Sequence, residues 1–267
     1  MKTFALRIDL ESEKGIKKGV PKILDLLKKH DVKASFYLTM GGESNIFELL
    51  KYRKKLDCER GIKVFSKGEI LRMLLFPRNF IRRNKKILRR ILEEGHEIGI
   101  HGWKHRAWTR GLERIDIGKH LDKSIEEYKK IFGKIPTSFC SPAFRINRDV
   151  VSELDKRDFK VVSDFEGEKV QKILYTNLIN VPITIKGKSN TPIIEYLVSK
   201  NYSDEKILQV IEEKIKKKDL STMYIHGLYE GIQKIKLLDE LLGFLKKNKI
   251  KIKTLKEIRD ENSSNNK

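Results

Sequence analysis

The feature that most constrains this chain is a repeated alternation of short apolar runs and amphipathic stretches. Residues 4–8 alternate apolar and polar positions with period two and end at Asp9. Val20, Ile23, Leu24 and Leu27 then recur at helical spacing, with Pro21 near the start, where its missing N–H is tolerated. The pair of signals repeats along the chain. Strands are expected at 32–38, 97–100, 137–140, 159–163, 178–185 and 222–225, with a short one near 250–252. Helices are expected over about 81–94 and 114–132, stopped by Gly95 and Gly133. Others start at Asn147 and Ser203, and the last covers about 233–247. Residues 43–80 have no regular pattern. Such alternation implies an α/β fold with a mostly parallel sheet, open or closed into a barrel.

The polar residues fall at one place in this scheme. Asp9, His101, Arg145, Asp164 and His226 are far apart in sequence, yet each is expected at a strand C-terminus. In α/β barrels that end carries the active site. His101 and His105 form an H-x-x-x-H whose imidazoles can converge on one ion. Two packing or surface histidines satisfy the same spacing. A hydrolytic metal site needs a third ligand and an open position for water. Asp9-Leu10-Glu11 offers two carboxylates on one side of an extended segment, one for the metal and one as a base. A solvated strand end reads the same way.

Taken together, these residues resemble the NodB-homology polysaccharide deacetylases, a carbohydrate esterase group, from residue 4 to about 258. The resemblance implies a distorted (β/α)7 barrel with a basic helical insertion before the H-x-x-x-H. It implies Asp9 as catalytic base, and Glu11, His101 and His105 as ligands of a divalent metal, zinc first, with cobalt or manganese as alternatives. It implies Arg145 as the group orienting Asp9, His226 as general acid, and Asp164 as the support of His226. Glu11 stands two residues after Asp9, where most deacetylases have adjacent aspartates. Within the family the chain is most similar to the deformylases of the aminoarabinose–lipid pathway. That likeness rests on Leu6-Arg7-Ile8-Asp9, Gly19-Val20-Pro21, Val181-Pro182-Ile183-Thr184 and the tryptophans Trp103 and Trp108. It implies an amino sugar on a polyprenyl phosphate as substrate.

Charge bears on the partner. The net charge is +21, and residues 51–90 hold 15 Lys or Arg against 3 Asp or Glu. A cluster of this kind suits an anionic partner. The apolar and basic mixture around Arg72, Arg78, Arg82 and Arg83 suits a peripheral membrane segment, with a helix covering the barrel as the plainer alternative. Trp103 and Trp108 are candidates for stacking on a sugar, or for packing at the barrel rim. Two competing functions are a deacetylase of a soluble or polymeric glycan and a basic nucleic-acid-binding protein. No helix-turn-helix, zinc-finger or RNP-type motif supports the second, so nucleic acid is not expected. The two cysteines, Cys58 and Cys140, make no disulfide framework. The N-terminus reads as a strand rather than a signal peptide. The expectation is one catalytic domain over 1–258, with a basic insertion at 43–94 and a disordered tail at 259–267. Its expected location is cytoplasmic, peripheral on the inner face of the membrane.

Overall fold

The computed structural model describes residues 2–51 and 65–264; part of the expected insertion and the last three residues of the tail lie outside them. The described strands are β1 (Thr3–Leu10), β2 (Ser35–Leu38), β3 (Glu97–Ile100), β4 (Ser138–Phe139), β5 (Val161–Val162), β6 (Gln171–Lys172), β7 (Ile179–Asn180), β8 (Leu220–His226) and β9 (Lys251–Ile252). They form one sheet in the order β6-β7-β5-β4-β3-β2-β1-β8, with β9 against the start of β1. All pairings are parallel except the β6–β7 hairpin. Beyond β7 the chain crosses to β8, where the Thr184 and Ile185 amides both donate to the Thr222 carbonyl at 3.0 Å. Ile185 is bridged to Met223. This contact curls the sheet, in keeping with the distorted barrel that the family resemblance implies.

Strand β1 is the organising element, because its two faces meet different neighbours. Phe4, Leu6, Ile8 and Leu10 pack into the main apolar core, which includes the surrounding helices. Ala5 faces a smaller apolar cluster with Tyr37, Cys140, Val161 and Val181. Alternate residues of a strand share a face. Arg7 and Asp9 therefore follow Ala5 on its side, and both are buried. Leu255 and Ile258 join the same cluster from the helix Leu255–Ser264. The tail expected to be disordered from 259 is thus helical to 264. Its start is anchored by Leu255 N–H donating to Ser35 Oγ at 2.8 Å and Lys256 N–H to Glu97 at 3.0 Å.

The insertion is more regular than its pattern suggests. Helices run over Ile46–Lys51 and Lys67–Leu75, in a stretch without a helical signature on a buried face. Lys67–Leu75 buries none of its residues. What marks it is a capping box, in which the Ser66 side chain accepts from Glu69 N–H and Glu69 accepts from Ser66 N–H. The basic helix expected over 81–94 is split into Phe80–Arg83 and Lys85–Glu93 at Asn84, whose side chain donates to the Phe80 carbonyl at 2.7 Å.

His96 precedes β3 and is structural. It is 5% exposed, and its Nδ1 accepts the Ala34 N–H at 3.3 Å, which requires a neutral ring. Burial and the charge of Lys33 push it down to about 4. An unfolded histidine titrates near 6.5. As pH falls through 6.5 the unfolded chain binds the proton first, so stability falls from there to about pH 4 and then levels off. The expected loss is on the order of 3 kcal/mol. Urea denaturation of His96→Asn across this range should show a flatter pH dependence than wild type; an unchanged slope would rule out His96 as its source.

Candidate active site

The C-terminal ends of β1, β3 and β8 bring their polar residues together. Register pairs Asp9 with His226 directly across β1 and β8. The loop after β3 is tied to the loop after β2: Met40 N–H donates to the Gly102 carbonyl at 3.0 Å, and Gly41 N–H to the Trp103 carbonyl at 2.6 Å. A Cβ at Gly41 would stand 2.3 Å from that Trp103 oxygen, so only glycine permits the approach. Gly102 has φ +71°, which turns the chain between the two histidines. His105 then starts the helix His105–Gly111.

Glu11, His101 and His105 form one cluster, with ligand atoms all within 4.8 Å of one another. Glu11 Oε1 lies 3.1 Å from His101 Nε2 and 2.8 Å from His105 Nε2. His101 Nδ1 donates to the Cys140 carbonyl at 2.8 Å. That bond places the proton on Nδ1 and leaves the Nε2 lone pair facing the cluster, the arrangement of a metal-ligating histidine. Burial opposes ionisation of Glu11, but His105, His226 and the bonds from His101 and His105 hold its carboxyl well below the usual range. Two imidazoles and one carboxylate suit a divalent ion such as zinc and leave a fourth position open. Asp9 Oδ2 is 4.0 Å from His101 Nε2, and His226 Nε2 is 3.9 Å from Glu11 Oε1. A cavity of about 160 Å³ is lined by Asp9, Glu11, Ser12, Glu195, His226 and Tyr229, together with Phe65 and Met73 from the insertion.

Two expected pairings are replaced. Asp9 is not held by Arg145. Arg7 on the same strand donates Nε and Nη2 to the two Asp9 oxygens, both at 2.8 Å. Its Nη1 donates to the Ser163 carbonyl at 2.8 Å and lies 3.6 Å from Asp164 Oδ1. The rings of Tyr37, Phe144 and Tyr224 surround the guanidinium, with centroids 5.6, 5.0 and 5.6 Å from its carbon. Burial works against its charge, but Asp9, Cys140 and Asp164 more than offset this and hold it above the ordinary arginine range. Arg145 instead bonds the Thr109 carbonyl at 2.8 Å and pairs with Glu113. The cause is local: Ala143 and Phe144 both adopt positive φ after β4, and Arg145 leaves this turn toward the helix His105–Gly111.

Asp164 likewise does not meet His226. Its oxygens accept the Ser141 N–H, each at 2.9 Å. Burial pushes its carboxyl up to about 6, with Arg7 and Ser141 acting the other way. The partner of His226 is Glu195, whose Oε1 is 2.5 Å from Nδ1. Glu195 belongs to the helix Ile193–Ser199, which the sequence pattern did not reveal; the signals were Pro192 at its N-terminus and the apolar Ile193, Ile194 and Leu197. The His226 backbone N–H donates to Glu230, four residues on, at 2.9 Å.

Trp108 is fully buried, packs on Phe139 at 5.3 Å between centroids and donates its indole N–H to the Arg145 carbonyl, so it is core and cannot stack on a sugar. Trp103 is partly buried against the main core. The four insertion arginines are held by carboxylates. Arg72 pairs with Glu43, Arg78 and Arg83 with Glu13, and Arg82 with Glu127. Burial opposes ionisation of Glu13, but bonds from Lys17, Arg78 and Arg83 bring it down to about 2. The pairs with Glu13 and Glu127 clamp the insertion onto the barrel.

A curled parallel sheet with this cluster at its strand ends defines a class. The chain belongs to the polysaccharide deacetylase family, whose profile matches residues 2–162; it is a deacetylase or deformylase-type hydrolase of amide C–N bonds. It is 27% identical over 266 residues to a protein of Shewanella sediminis named as a probable 4-deoxy-4-formamido-L-arabinose-phosphoundecaprenol deformylase, covering 96% of this chain and 85% of that one. A Wigglesworthia glossinidia protein of the same name is 27% identical over 84% of this chain and 88% of that one. The fold is also that of a putative polysaccharide deacetylase from Mycobacterium smegmatis, at TM-score 0.68 and 14% identity, covering 99% of this chain and 92% of that one.

If Arg7 orients Asp9, Arg7→Lys should lower kcat by about 10–100-fold, because a point charge cannot make the bidentate bond. Arg7→Met should also cost about 3–5 kcal/mol of stability by leaving buried carboxylates unpaired. Arg145→Ala should change little. Steady-state kinetics and thermal melts check this; equal losses in the Arg145 and Arg7→Lys variants would restore the original pairing.

Proposed function

We propose that this chain is a metal-dependent deformylase of an amino sugar carried on a lipid phosphate, with zinc as the ion. The observation that carries the reading is that Asp9 on its Arg7 clamp and His226 on Glu195 flank the Glu11–His101–His105 cluster, and that Asp9, Glu11 and His226 line one cavity. The likeness to two proteins named as probable formamido-arabinose-phosphoundecaprenol deformylases, over 85% and 88% of their length, favours this substrate class. The small space beside the cluster suits a small acyl group.

An ion held by Glu11, His101 and His105 supplies Lewis acidity there. The protein does the rest. Asp9, oriented by the bidentate bond from Arg7, takes the proton of the attacking water. His226 enters protonated: burial opposes its charge, but Glu11 and Glu195 hold it well above the ordinary histidine range. It gives its Nε2 proton to the leaving nitrogen, so the amine departs neutral. Asp164 acts through Arg7, helping to fix the guanidinium that orients Asp9.

A membrane contact through the helix Lys67–Leu75 belongs to the same reading. Ile70, Leu71, Leu75 and the following Phe76 are 46–69% exposed, and Phe47 and Leu50 of the preceding helix are exposed as well. Met73 of the same helix lines the cavity, so an apolar surface adjoins its mouth. The arginines are engaged by Glu43, Glu13 and Glu127, which leaves the apolar side chains as the contact. An interfacial helix binds through such a face, aided by surrounding basic charge.

Two measurements test this. Asp9→Asn should retain stoichiometric zinc and lose about 10²–10⁴ in kcat for release of formate from a formamido sugar, whereas His101→Ala should lose the zinc. Full activity of the zinc-loaded Asp9→Asn protein would refute the base assignment. Leu71→Asp with Phe76→Asp should weaken sedimentation with anionic vesicles while hydrolysis of a short soluble substrate persists; unaltered vesicle binding would remove the membrane contact.

A further inference from the structure

His226 is supported by two carboxylates, and only one of them touches its ring. Glu195 reaches Nδ1, while Glu230 accepts the backbone N–H of His226 through Oε2. The ligating atoms of Glu195, His226 and Glu230 lie within 4.8 Å of one another. Glu230 is fully buried, and its Oε1 has no hydrogen-bond partner among the described residues. Two ionised carboxylates beside one imidazolium would leave an uncompensated negative charge in a buried place, which is costly. Two acids at such range share a proton instead. Glu195 has the direct ionic bond, so the proton falls to the acid with an unpaired oxygen.

We infer that Glu230 is held as a neutral carboxylic acid, and that Glu195 and Glu230 form a divided support for His226 in which Glu195 alone carries charge. This deepens the proposed function and rests on it for the role of His226. Neither glutamate touches the reacting atoms in this account, so both are positioning residues. Glu195 fixes the ring so that Nε2 faces Glu11. Glu230 fixes the end of β8 through the backbone. Its neutrality matters because a second adjacent anion would hold the imidazolium proton more tightly and make His226 a weaker acid.

The surroundings agree. Burial and the charge of Glu195 push Glu230 up to about 8, with His226 and two backbone N–H groups acting the other way. Tyr224 and Tyr229 border the cluster, and both phenols are raised by burial, so they stay neutral. From the helices packed alongside, Ile23 and Gly19 meet Gly231, next to Glu230. The nearby cation Lys234 is engaged by Asp204, and Lys17 by Glu13. His226 is therefore the cation that opposes this rise.

The test uses the zinc-loaded full chain. Infrared difference spectra between wild type and Glu230→Gln at pH 7 should show a protonated-carboxyl stretch that the substitution removes. In wild type with ¹³C-labelled glutamate, the same band should vanish as pH rises through about 8, a readout that needs no substitution. Glu230→Gln, a neutral isostere, should displace the alkaline limb of the kcat profile and lower kcat at pH 7 by less than Glu195→Gln does. Glu195→Gln should lower kcat by about 10–100-fold with little change in KM, and Glu195→Asp should recover part of it. The inference is overturned if no protonated-carboxyl band exists at pH 7, or if Glu230→Gln costs as much kcat as Glu195→Gln. A second bound metal equivalent that Glu230→Gln removes would also overturn it. The infrared band does not depend on turnover, so a protein that releases no formate would defeat the proposed function while leaving this result readable.

Discussion

The contact on which the rest depends is the buried bidentate bond between Arg7 and Asp9. Both lie on one face of β1, inside a barrel whose lower interior is Ala5, Tyr37, Cys140, Val161 and Val181. A charge in such a place survives only when paired and fully hydrogen-bonded. Arg7 meets that demand with Asp9, the Ser163 carbonyl, Asp164 and three aromatic rings. The guanidinium thereby ties β1 to the ends of β5 and β8. It also leaves Asp9 with one orientation, facing the cluster of Glu11, His101 and His105.

The same economy appears around each functional group. His101 is fixed through the Cys140 carbonyl, His226 through Glu195, and the insertion through carboxylates of the barrel. The site is preorganised by backbone and carboxylate contacts from several strand ends. Such supporting partners set ring orientation and basicity as much as the groups that touch a ligand. Two larger hollows, about 390 and 860 Å³, lie at the N-terminal side of β3 and beside the β6–β7 hairpin, away from this constellation.

Much of this was legible in the sequence, for a physical reason. Strand period and strand-end placement depend on local pattern, and they located Asp9, Glu11, His101, His105 and His226 in one place. Side-chain pairing depends on tertiary direction, and there the reading failed. Arg145 and Asp164 sit at strand ends, but the turn at Ala143–Phe144 and the Ser141 amide direct them elsewhere. Arg7 was visible as the residue sharing a face with Asp9, and period two alone places it there. Glu195 was hidden because it comes from a short helix between strands rather than from a strand end. For Trp108 the sequence left sugar stacking and packing both open, and its burial decides for packing.

The central claim is that a single ion is held by Glu11, His101 and His105, opposite Asp9 and His226. Anomalous diffraction from crystals of the zinc-loaded protein tests it most directly. The account predicts one peak, about 2.0–2.2 Å from Glu11 and the Nε2 atoms of His101 and His105. A peak seated instead among Glu195, His226 and Glu230, with the three proposed ligands unbound, would contradict it.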